Sequence, residues 1–223
     1  GVLMGFIDTG IDYQNPVFQS ENGTTRILRI WDQTVRTGTQ PEGFLYGSEY
    51  TAEDINYAIR SEDSYSIVPS RDTNGHGTFL AGVAAGSEVL ERDFIGAAPL
   101  ADIAVVKLKE AKQHLRNFYH IREGAVAYQE NDIINAVVYI SNIADMYNKP
   151  ASFNFAIADV VFAICIKEII PSCILAPPET QKIINGNFSS IAFSTEYVIF
   201  SPTTIPILPI KNPLSITQIT TSS

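Results

Sequence analysis

Residues 2–7, VLMGFI, are apolar at consecutive positions, without the alternation that a strand with one wet face would show. The segment 102–108, DIAVVKL, has the same character. Strands of this kind are buried on both faces, as in a parallel sheet covered by helices. Between them HGTFLAGVAAG (76–86) reads as a helix rich in small residues, in which Gly82, Ala84 and Ala85 would allow close packing on the sheet. Over 131–148, Ile133, Val137, Ile140 and Ala144 recur at helical spacing, and Pro150 stops the element. ASFNFAI (151–157) reads as a further strand. Alternating strands and helices call for right-handed crossovers. The expected fold class is therefore α/β, a parallel sheet with helices on both faces, incomplete after about residue 157.

The chain has 223 residues and is 45% apolar, enough to bury a core. Fifteen Lys+Arg against 24 Asp+Glu give a formal charge of −9, which repels phosphate backbones and anionic lipid. Nucleic acid and membrane surfaces are thus not expected as partners. No basic n-region or cleavage pattern precedes the first strand, so no secretory signal is read and the compartment stays unknown. Cys165 and Cys173 are too few for a disulfide framework and lack CxxC spacing.

The character of the chain changes near residue 150. Residues 1–150 hold 32 of the 39 charged residues, 13 of the 14 glycines and all three histidines, whereas 151–223 holds 15 isoleucines and seven prolines. The run FAIADVVFAICI (155–166) is too short for a membrane span and is ended by Lys167, Glu168 and Pro171. No repeat of 20 to 50 residues recurs. Two regions are expected, 1–157 and an atypical Pro/Ile-rich tail at 158–223.

Asp8 ends the first strand, in DTGID (8–12). In an open parallel sheet, ligands and reacting groups gather beyond the carboxyl ends of the strands, so this carboxylate could point into a cleft. Three readings stay open on the tripeptide alone: the acid/base of an aspartic protease, the orienting member of a serine-protease triad, or a turn residue with Gly10 supplying positive φ. The first needs two carboxylates sharing a proton, and no second Asp-Thr-Gly or Asp-Ser-Gly occurs in the chain.

In DTNGHGTFLAGVAAG (72–86), Gly75 and Gly77 flank His76 and leave its imidazole unobstructed at a helix start. His114 and His120 have no such setting and read as ordinary structural residues. Asp72, four residues before His76, reads as a residue shaping the glycine turn.

DTGID (8–12), NGHGT (74–78) and GAAPLADIAVVKL (96–108) together resemble the first two catalytic motifs and the following strand of the subtilisin-like serine proteases. ILRIWDQT (27–34) and the long insertion between Asp8 and His76 resemble the clostridial branch that includes the spore-germination proteases. The resemblance covers about residues 1–157. It implies a serine-type endopeptidase acting on protein or peptide substrates, with Asp8 holding the tautomer of His76 and His76 as general base. It also implies a maturation prosegment before Gly1, and extracellular or spore-associated work. No cofactor is read; calcium is common in the family, but ENGTTR (21–26) and RSEDS (60–64) read as solvated loops.

The resemblance does not extend to the nucleophile. The family carries it in a Gly-Thr-Ser motif, which is absent from the chain. Ser189, Ser190 and Ser194 lie in NFSSIAFST without that context, and Asn185 and Asn187, at a conceivable distance for the family's oxyanion asparagine, read first as part of an Asn-Gly turn. Ala158 takes the place of a glycine usual near the substrate-pairing strand, and Asp159 follows. One expectation is an incomplete or out-of-frame product beyond about residue 158, to be checked by reading the other two frames past codon 157 for Gly-Thr-Ser. The alternatives are a non-catalytic pseudoprotease that binds a protein partner, or an inactive fragment with open strand edges.

Overall fold

The computed structural model describes residues 1–155 and a short strand at 197–199. The tail as a region of its own, the run at 156–166, and the candidate residues Ala158, Asp159, Asn185, Asn187, Ser189, Ser190 and Ser194 lie outside the described residues.

The main sheet contains β1 (Leu3–Asp8), β2 (Ile27–Asp32), β3 (Ser48–Thr51), β4 (Asp102–Lys107) and β6 (Ala151–Asn154), in the order β3-β2-β4-β1-β6. A separate pair joins β5 (Ala127–Gln129) in parallel to β7 (Tyr197–Ile199). The helices are α1 (Ala52–Ile59), α2 (Ser64–Ile67), α3 (His76–Ala85), α4 (Gln113–Phe118) and α5 (Glu130–Met146). Pairing in the main sheet is parallel, as expected, except that β3 lies antiparallel along β2 at one edge. The strand expected at 151–157 is assigned over Ala151–Asn154.

The consecutive apolar residues of β1 divide between two cores. Leu3 and Ile7 face one side with Ala104 and Val106 of β4 and Ile133, Val137 and Ile140 of α5. Phe6 faces the other with Ile103 and Val105 of β4 and Ala81 and Ala85 of α3. Each fully buried Ile, Leu or Phe contributes about 1.5–3 kcal/mol by leaving water. Gly5 is the point of closest approach for α5, because a Cβ there would lie 2.6 Å from Cγ2 of Ile140. The helix signal at 131–148 is thus the face of α5 that seats on β1.

Helix α3 carries small residues where it meets the sheet: Ala85 is buried in the shared core and Ala84 packs against it, as expected, but Gly82 makes no close approach. A Cβ on Gly82 would meet nothing within 4 Å among the described residues. The close approach falls at Gly77, where an added Cβ would lie 2.2 Å from the Gly10 carbonyl oxygen and 3.1 Å from Cβ of Asp8. Arg26 secures the far end of α3. It is buried and donates to the carbonyls of Ala101, Val17 and Ala85 and to Ser87 Oγ. The stretch 21–26 is accordingly a turn that ends on a buried guanidinium, not a wholly solvated loop. Just past β4, Lys109 ion-pairs with Asp132 in the first turn of α5 and lies 4.0 Å over the Tyr46 ring. Among the described residues no helix is long and apolar enough to cross a membrane.

Candidate active site

The chain leaves β1 toward the face covered by α3, with Tyr13 and Phe18 in that core, and leaves β4 toward the face covered by α5. Adjacent parallel strands whose connections diverge in this way open a crevice at their carboxyl ends. Asp8 is the last residue of β1 and pairs in register with Lys107, which in turn pairs with Asp32 of β2. The Lys107 ammonium lies 3.6 Å from Asp32 Oδ2 and donates to the Arg71 carbonyl at 2.7 Å.

His76 is the first residue of α3, after Gly75 in the left-handed region at φ 88°. Its Nδ1 lies 2.8 Å from Asp8 Oδ1, across 68 residues of sequence. A carboxylate only accepts, so Nδ1 is the donor and Nε2 remains the basic nitrogen. The Asp8 side chain is 2% exposed and that of His76 29%, so the pair runs from the core to the edge of solvent. Thr9 N–H also donates to Asp8 Oδ1 at 2.7 Å, while Oδ2 is buried without a hydrogen-bond partner among the described residues.

The positive charge of the helix terminus and its unpaired N–H groups are met by a small set of side chains. His76 N–H donates to Asn74 Oδ1, Gly77 N–H to Thr9 Oγ1, and Thr78 N–H to Asp72 Oδ2. Asp72 also accepts from Gly75 N–H, Asn74 N–H, Thr78 Oγ1 and Thr9 Oγ1. Burial alone would raise its carboxyl; the hydrogen bonds from Thr78, Gly75 and Thr9 outweigh that and hold it below the ordinary value.

Beside Thr9 and Asn74 opens a cleft of about 370 Å³, also lined by Lys107, Leu108, Glu110 and Tyr128. The other two histidines are remote from this arrangement in role: His114 is exposed on α4, and His120 is exposed with φ 51° just after it. Among the described residues no group of three or more His, Cys, Asp or Glu could hold a metal ion. Sequence reasoning singled out Asp8, His76 and Asp72 but not Thr9 and Thr78. The signal was a threonine in each motif, one residue after Asp8 and two after His76.

The profile of the subtilase family, peptidase family S8, matches residues 1–151. Two subtilisin-like proteases of Arabidopsis thaliana, SBT3.5 and SBT3.3, are 30% and 28% identical over 152 residues, covering 61% of this chain and 18% of each relative. Among solved structures, the CspB protease of Clostridium perfringens matches with a TM-score of 0.55 and 31% identity, over 69% of this chain and 28% of that one. The chain therefore corresponds to less than a third of the length of these relatives. Because the profile match runs from before β1 to the first residue of β6, the chain belongs to the subtilase family, and its likeness to the CspB protease puts it beside the clostridial branch.

Proposed function

We propose that this chain supplies the acid–base part of a serine-type endopeptidase site that hydrolyses peptide bonds in a protein or peptide substrate. The observation that carries the reading is the 2.8 Å contact from a buried carboxylate on an interior strand to an imidazole at a helix start. His76 Nε2 takes the proton of a serine hydroxyl as that oxygen attacks the scissile carbonyl, and returns it to the leaving amine. Asp8 keeps the proton on Nδ1 and stabilises the imidazolium that forms. Residues 1–157 are read as the N-terminal part of the peptidase domain and 158–223 as a distinct tail.

A second reading, a non-catalytic relative that binds a protein partner through the same fold, draws on the absence of Gly-Thr-Ser from the 223 residues. A fluorophosphonate probe separates the two. Covalent labelling of a serine in this chain would rule out the binding reading, and the peptidase reading then expects that labelling to be lost in His76→Ala and slowed roughly ten-thousandfold in Asp8→Asn.

A further inference from the structure

We propose that Asp72 is a positioning residue that sets the spacing of Asp8 and His76, by tying the turn after β1 to the first turn of α3. The inference rests on the acid–base reading of that pair but concerns a different residue and a different task.

The need for such a tie follows from where the two partners sit. Asp8 hangs from β1, whereas His76 begins a helix whose N-cap, Gly75, offers no side chain. A helix terminus without a capping side chain leaves its first N–H groups to find other partners, and its first turn is the part most easily displaced. Asp72 and two threonines provide those partners. Thr9 Oγ1 donates to Asp72 Oδ1 at 2.9 Å and accepts from Gly77 N–H at 3.0 Å. Thr78 Oγ1 donates to Asp72 Oδ2 at 2.6 Å and accepts from Asp12 N–H at 2.8 Å. Each hydroxyl therefore both donates and accepts, and each spans the gap between the β1 turn and α3.

The simpler role for Asp72, shaping the glycine turn, accounts for only part of this. Its contacts to Asn74 and Gly75 N–H are local and would form in any such turn. The contact to Thr9, 63 residues away, is not a turn contact. It joins the residue next to Asp8 to the residue four before His76. With one carboxylate oxygen on each threonine, the two straps share a rigid planar hub, and a shift of α3 along β1 would break both.

The test uses the full chain and reads the His76 Nδ1 proton by NMR, assigned through His76→Ala. Two variants act on the straps: Asp72→Ala removes the hub, and Thr9→Val removes one strap while leaving the Asn74 and Gly75 contacts intact. Thr51→Ala serves as a control, because it breaks the capping box of α1 and lowers stability away from the site. The expected result is loss of the Nδ1 signal in Asp72→Ala and its faster exchange with water in Thr9→Val, on the order of fivefold to tenfold for a lost hydrogen bond. Thr51→Ala should lower the melting temperature and leave the signal unchanged. Wild-type exchange in Thr9→Val, whether or not Asp72→Ala folds, overturns the proposal, as does equal loss of the signal in Thr51→Ala. The acid–base reading fails separately, if Asp8→Asn leaves the Nδ1 proton as it is in the wild type.

Discussion

Gly77 stands directly over Gly10, so close that a single added carbon would lie 2.2 Å from the Gly10 carbonyl oxygen. That oxygen belongs to backbone and cannot swing aside. Gly77→Ala should therefore lift the first turn of α3 off the β1 turn and carry His76 with it. The expected cost is about 1–3 kcal/mol of stability for overpacking. The checks are the urea midpoint and the His76 Nδ1 proton; an unchanged midpoint with the proton signal intact would show that the turn has slack.

At the opposite end of α3, Arg26 donates to three carbonyls and one hydroxyl from inside the protein. Burial pushes its guanidinium below the usual range, with Asp102 opposing that shift. Arg26→Met fills the volume but strands these acceptors, and should lower stability by about 2–3 kcal/mol. Arg26→Lys should recover only part, because an ammonium cannot reproduce the planar fork. Chemical unfolding of the three proteins decides this, and equal stability of Met and Lys variants would contradict it.

Gly5 and Ile140 provide a paired test of the other face. Gly5→Ala drives a methyl into Ile140, and the cost should be about 1–3 kcal/mol. Ile140→Ala alone should cost about 2–5 kcal/mol for the cavity. In the double variant the two changes should offset one another in part, giving a coupling of about 0.5–3 kcal/mol in a double-mutant cycle. Strict additivity would mean that β1 and α5 separate rather than clash.

The lowered carboxyl of Asp72 gives a pH dependence of definite sign. Its folded value lies below the unfolded one, near the ordinary 3.8, so the unfolded chain takes up this proton first as pH falls. The stabilisation is complete above the unfolded value and is lost as pH drops through the folded value. Melting temperatures of wild type and Asp72→Asn should hence differ at neutral pH and converge under acid. A gap that stays constant from neutral pH to strong acid would count against this carboxylate as the source.

Much of the central architecture was legible because it is written in local pattern. The continuous apolar runs of β1 and β4 mark strands buried twice over, and the spacing from Ile133 to Ala144 marks the seated face of α5. β2 is harder to read, since Arg29 and Asp32 interrupt it; Arg29 lies 3.8 Å from Glu49 of β3 and donates to the Tyr147 hydroxyl, contacts that depend on distant residues. β3 is four residues long with no apolar run, and it pairs antiparallel with β2 only after the long connection 33–47, which no local pattern announces. α1 did carry a local signal, the capping box of Thr51 and Asp54. In the site, the glycines around His76 singled it out, and its pairing with Asp8 came from the resemblance of DTGID and NGHGT to the subtilisin-like motifs. The glycines did not show which of them mattered for packing, because that depends on what lies above Gly77 and not above Gly82.

The strand that carries Asp8 pairs with β4 along its whole length and with β6 over Leu3–Phe6, and its Asp8 carbonyl accepts from Leu108 N–H at 2.9 Å. Amides in such an interior ladder exchange with solvent only when the whole domain opens, whereas the first turn of a helix opens at far lower free energy. The two halves of the contact thus run on different clocks. Asp8 should keep its place for as long as the fold persists, and an opening of the contact should start from the helix side.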